Sequence, residues 1–144
     1  MSQPIGDASD HTATSAPGST SGSQRRIDLQ RARSAVVEAE LALDVGDRFL
    51  AAHLAALRVA AIVLSCTARH SRPVGSRPVN VWQVLSSVAP EYGEWAAYFA
   101  ATQHKRDAVR AGVRGAVTAR EADDLVRDAQ LFLALVEDRW GRHG

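Results

Sequence analysis

Thr118 to Glu137 read TAREADDLVRDAQLFLALVE, and this segment carries both a helix start signal and a helix face. Thr118 and Glu121 stand three residues apart. In that spacing a hydroxyl and a carboxylate each satisfy a backbone N–H that a helix start would otherwise leave without a partner. Asp123 and Asp124 follow in the first turns, where negative charge suits the positive end of the helix dipole. Leu125, Ala129, Phe132, Leu133, Val136 and Trp140 then recur at three- and four-residue intervals, so the spacing predicts a helix to about Trp140 with one apolar face.

Working outward, the same period returns upstream. Leu29, Ala32, Val36, Ala39 and Leu43 predict a helix over about Arg25 to Asp44, ended by Gly46. Asp47 is placed to cap a second helix, DRFLAAHLAALRVAAIVL at 47–64, extending to about Thr67. There Leu50, Leu54, Leu57, Ala61 and Leu64 form a heptad-like stripe. Ala51, Ala52, Ala55, Ala56 and Ala60 keep its flanks thin enough for close packing on several sides, so this helix is expected at the centre. Pro73, Gly75 and Pro78 make residues 69–78 a loop. Asn80 is the expected cap of a short helix, Val81 to Val88, which Pro90 closes. Pro90 also opens a further helix carrying Trp95, Tyr98, Phe99 and Thr102 and ending near Gly112. No stretch alternates with the period of two that a strand requires. The expected fold is all-α, a four- to five-helix bundle over residues 25–144. Residues 1–24 hold no Lys or Arg and almost nothing apolar beyond Ile5, and they are expected to be a disordered tail.

Composition removes several classes of function. A chain of 144 residues fits one domain large enough to bury a core without metals or disulfides. The single cysteine, Cys66, lies in an apolar run, so an intrachain disulfide is impossible and burial is its simplest role. No run of roughly 18 to 20 uncharged apolar residues is evident, so no membrane role is expected. The N-terminus has no basic stretch followed by an apolar one, which makes the cytoplasm the expected location. His11, His53, His70, His104 and His143 show no metal-ligand spacing, and no Gly-rich phosphate loop or nucleophile motif occurs. Neither metal nor cofactor is therefore expected.

Net charge is only +1, so a surface built wholly for polyanions is excluded and local charge must carry any such role. Two segments are basic. One is the hinge, with Arg69, His70, Arg72 and Arg77. The other is 104–120, where His104 accompanies Lys105, Arg106, Arg110, Arg114 and Arg120 against a single Asp107. Immediately after it, Glu121, Asp123, Asp124, Asp128, Glu137 and Asp138 face only Arg127. The plainest account pairs these fields across two helices or solvates both. The sharper one offers Arg69, Arg72, Arg77, Lys105, Arg106 and Arg110 to RNA, DNA or an acidic protein. Aromatic residues do not interleave with the basic ones, Trp82 beyond the hinge excepted, so base stacking has little support. The cations are 16 Arg and one Lys, and GC-rich coding accounts for that bias as readily as phosphate recognition does.

Three phrases, DRFLAAHLAALRVAAIVL at 47–64, VWQVLSSVAPEYGEWAAY at 81–98 and TAREADDLVRDAQLFLALVE at 118–137, together resemble the HEPN domain family in its actinobacterial SAV-type branch, over about residues 27–138. The resemblance implies a helical bundle, often dimeric. Many members are metal-independent ribonucleases of toxin-antitoxin or defence systems, and others have lost catalysis and serve as binding modules. Active members carry Arg, four to six residues, then His in a late helix, where Arg holds a phosphate and His assists attack by the ribose 2′-OH. Here the only such spacing is Arg48 to His53. It falls in an early helix, its side chains diverge by about 140° at 100° per residue, and in so Arg-rich a chain chance readily supplies one. The reading favoured is therefore a non-catalytic module that dimerises or binds a protein partner. The alternatives are a ribonuclease using Arg48 and His53, or a set including His70, His104 and Arg106, and an accessory nucleic-acid-binding protein of DNA replication or repair.

Overall fold

The computed structural model describes residues 17–67 and 80–141, with side chains from residue 22 onward. Among them every regular element is helical: α1 (Pro17–Leu41), α2 (Val45–Thr67), α3 (Val81–Val88), a 3₁₀ turn (Pro90–Tyr92), α4 (Gly93–Ala101), α5 (Gln103–Arg110) and α6 (Ala119–Trp140). The expected hinge loop, and residues 1–16 of the expected tail, lie outside the described residues. Residues 17–24, also expected to be unstructured, instead continue α1 upstream. Once Leu29 to Ala39 are docked, each added residue costs only propagation, and Pro17 at the first position suits a helix start.

Local chemistry sets the boundaries. α1 stops at Leu41 rather than Asp44 because Asp44 caps the next helix, accepting from the Asp47 N–H at 2.9 Å. Asp47, the expected cap, therefore sits inside the first turn of α2. Gly46 is likewise inside α2 and not a terminator of α1. A Cβ there would come within 3.1 Å of Val109, so the glycine permits α5 to approach. Arg48 Nε donates to the Ala42 carbonyl at 3.1 Å, satisfying an acceptor left open as α1 ends. With only residues 42–44 between them, α1 and α2 form an antiparallel hairpin.

The cap at Asn80 is present: its Oδ1 accepts from Trp82 N at 2.8 Å, while its Nδ2 donates to Gln103 Oε1 and ties α3 to α5. The helix expected from Pro90 to Gly112 is divided. Thr102 Oγ1 donates to the Phe99 carbonyl at 2.7 Å, and the break between α4 and α5 falls at this residue. A hydroxyl that takes a nearby carbonyl competes with the helical ladder in this way. α5 ends on Gly112 at φ +82°, with Val113 N donating to Ala108 O and Gly112 N to Val109 O, a closure that requires a left-handed residue. The capping box is complete: Glu121 N donates to Thr118 Oγ1 at 3.0 Å, and Thr118 N to Glu121 Oε1 at 2.9 Å.

α2 is central, packing on α1, α6, α3 and α5. The pairs Arg33–Glu137 and Glu40–Gln130 run in opposite chain directions, so α6 lies antiparallel to α1. The buried face of α2 differs from the expected leucine stripe. It is formed by Phe49, Ala52, His53, Ala55, Ala56, Val59, Ala60, Ile62 and Val63, whereas Leu50, Leu57 and Leu64 are half-buried and Leu54 is 46% exposed. A helix surrounded on several sides presents its smallest residues where backbones approach closest, and its leucines fall to the flanks. Leu43, counted with the α1 face, is 92% exposed because the helix has already ended. α2 is also long and apolar enough to cross a membrane by length and composition, contrary to the sequence expectation, but half of that window is buried inside the bundle. The aromatic core runs from Trp82, stacked 5.1 Å from Phe99, through Phe132, 5.4 Å from Phe99, to Trp95, stacked 5.3 Å from Phe132. Cys66 is half-buried against this core.

Candidate functional site

The Arg48–His53 spacing brings no pair together. α2 turns Arg48 toward α6, where its guanidinium hydrogen-bonds to Asp123 at 2.5 Å. His53, five residues on, points into the core and is fully buried. Its ring meets Trp82 edge-on at 6.1 Å, and neither ring nitrogen has a hydrogen-bond partner; nor does the indole N–H of Trp82. Burial pushes the imidazole pKa below its ordinary value, and the positive charge of Arg106 pushes it further down. The Phe99 carbonyl and Asp107 pull weakly the other way, but the carbonyl is not placed to accept from either nitrogen. A neutral, enclosed imidazole offers no proton relay to a polynucleotide outside. Trp82, considered for base stacking, is buried with it and engaged by Phe99.

Arg69, Arg72, Arg77 and His70 lie outside the described residues. The remaining basic candidates sit on α5, but they are not equivalent. Lys105 pairs with Glu121 across the α5–α6 junction, and Arg106 with Asp107 at 3.2 Å. Arg110, Arg114 and Arg120 are exposed and form no ion pair with another described residue. The acidic run of α6 does not neutralise them: Asp123 goes to Arg48, Asp124 to Arg127 and Glu137 to Arg33. Pairing across the two charge fields is thus confined to Lys105–Glu121. The Lys105 ammonium, then the Thr118 cap, hold the Glu121 carboxyl below its usual pKa. On α4 the Tyr98 phenol is pushed well up, first by burial and then by the nearby Asp128 carboxylate. Among the described residues no three His, Cys, Asp or Glu side chains converge as metal ligands.

One feature lies outside the residues that sequence spacing picks out. Arg31 on α1 and Arg58 on α2 share a groove along the α1–α2 hairpin, in a cleft of about 400 Å³ that also takes in Leu54 and Glu38. The same two arginines line the adjoining cleft with Asp28 and Ala61. Neither forms an ion pair with another described residue. Single arginines in an Arg-rich chain carry no signal. Only the packing of α1 on α2 brings the two, both exposed, to one groove.

With this geometry in place, the model of the SAV_6107-like HEPN family matches residues 39–137, from the end of α1 to the last turns of α6. No curated protein and no solved structure matches the chain.

Proposed function

The chain belongs to the SAV_6107-like HEPN family, and from that membership we propose that it is a non-catalytic helical module that works by binding another polypeptide, in a partner protein or a second copy. One observation carries the reading: the histidine of its sole Arg–His spacing is enclosed in the core while the arginine is engaged by Asp123. The Arg–His cleavage that the family resemblance implies needs its imidazole within hydrogen-bond reach of the ribose hydroxyl, and His53 is turned away from any such approach.

The test is incubation of a labelled, unstructured RNA with micromolar protein in EDTA, alongside His53→Ala, His70→Ala and His104→Ala variants. No cleavage is expected. Cleavage yielding 2′,3′-cyclic phosphate ends and abolished by one substitution would replace this reading with a ribonuclease and name its histidine.

A second reading, binding of nucleic acid, is favoured by the exposed Arg110, Arg114 and Arg120 around the α5–α6 turn. Phosphate contacts release counterions, so such binding must weaken steeply as salt rises. Retention of RNA or DNA that is insensitive to salt would count against it.

A further inference from the structure

The groove between α1 and α2 has a charge order of its own. Along α1 the lining side chains run Asp28, Gln30, Arg31, Ser34, Ala35, Glu38; antiparallel to them on α2 run Ile62, Ala61, Arg58, Leu54. Two guanidiniums therefore sit at the middle, with a carboxylate toward each end and uncharged residues between, Gln30 and Ser34 polar and the rest small or apolar. Ile27 and Leu54, each 46% exposed, add apolar surface to the same face, and the concavity continues past Arg31 to Ser23, where Arg26 lines its far end and donates to the Ser23 hydroxyl. From Ser23 to Glu38 the groove is about 22 Å long at 1.5 Å per residue, the length of four helical turns.

We propose that this groove docks an amphipathic helix of a partner protein, whose middle turn presents a pair of carboxylates to Arg31 and Arg58 and whose flanking turns present cations to Asp28 and Glu38. This rests on the reading of the chain as a binding module and names the chemistry of its partner. Charge complementarity selects the occupant. A polyanion laid along the groove would bring phosphates against Asp28 and Glu38, on both sides of the arginine pair. A helix can change sign from turn to turn and set leucine or alanine against Leu54 and Ala61, which is how helices fill apolar grooves. Arginine suits the central positions because its planar fork engages carboxylates with two parallel hydrogen bonds.

The probe is a fluorescein-labelled 16-residue helical peptide with Glu at i and i+4 in its middle turn, Lys one turn to either side and Leu on the intervening face. Its mirror probe exchanges Glu and Lys. Binding is followed by fluorescence polarisation and mapped by 15N NMR shifts, with circular dichroism verifying that each variant folds. The expected result is binding of the first peptide at least tenfold tighter than the second, with shifts confined to α1 and α2. Arg31→Glu with Arg58→Glu should reverse that preference. Equal binding of both peptides, or no effect of the double substitution, would overturn the proposal. So would two competing occupants: a 20-nucleotide RNA whose retention the double variant abolishes, or a sedimenting dimer that Leu54→Glu dissociates. Because the peptide assay is independent of RNA cleavage in EDTA, failure of the groove leaves the module reading standing, whereas cleavage would remove that reading itself.

Discussion

Replacing His53 with Leu should stabilise the protein, although the histidine is among its most deeply buried side chains. Both ring nitrogens lack partners in a fully enclosed site, and the adjacent Trp82 indole N–H lacks one too. A buried polar group left unsatisfied costs about 1 to 3 kcal/mol. Leucine is close in volume, so it removes that cost without opening a cavity of consequence. The gain expected at pH 7.5 is about 1 to 2 kcal/mol, a rise in Tm of roughly 3 to 8 °C for a domain of this size. The effect of pH has a definite sign. The folded-state imidazole pKa lies below its ordinary 6.5, by burial first and Arg106 second, so the unfolded chain takes up a proton at a pH where the folded chain does not. Stability is therefore lost as pH falls through 6.5 toward the lowered folded value. For an imidazole that stays neutral in the fold, the loss between pH 7.5 and 5.5 reaches about 1.4 kcal/mol. Urea unfolding of the wild type and His53→Leu at those two pH values measures both effects. The variant should be the more stable at each pH, and by the larger margin at pH 5.5. A variant less stable than wild type by more than about 1 kcal/mol, or one with the same pH slope, would refute the account of His53 as a neutral, unsatisfied group.

Four further outcomes follow from particular residues. Thr118→Ala removes half of the capping box and should destabilise by about 1 kcal/mol in denaturant unfolding. Leu43→Ser should change stability by no more than about 0.5 kcal/mol, because Leu43 is almost wholly in solvent. Leu29→Ala, on the same sequence period but buried, should cost about 2 to 5 kcal/mol in that assay. Lys105→Met takes away the principal cause of the lowered Glu121 pKa, so its carboxyl titration, followed by 13C NMR, should move up toward the ordinary glutamate value.

Much of the architecture was legible from local chemistry. The capping box at Thr118 and Glu121, the Asn80 cap and the glycine stop at Gly112 each depend on residues within a few positions of one another, so their types and spacing were sufficient signals. The errors arose where two local solutions competed or where the partner was distant. Asp44 and Asp47 are both plausible caps, and the choice went to the one that also let Arg48 close the end of α1. Thr102 fits the aromatic face by spacing, yet its hydroxyl is bonded to the Phe99 carbonyl where the helix breaks.

Period and punctuation thus sufficed to establish that the described residues are all helical, with α6 bounded at both ends and α2 at the centre, while the family resemblance rested on three phrases and is carried by the family match over residues 39–137. They could not choose the buried face of α2, since leucine and alanine share its helical period, and helix-to-helix distance alone determines which lies inside. Nor could they say that Arg48 would meet Asp123, that His53 would be enclosed by Trp82 and Phe99, or that Arg31 and Arg58 would share one groove. Those juxtapositions join residues separated by 27 to 75 positions, and they exist only because packing α1 and α6 on α2, with α3 to α5 beside them, fixes which side chains are neighbours.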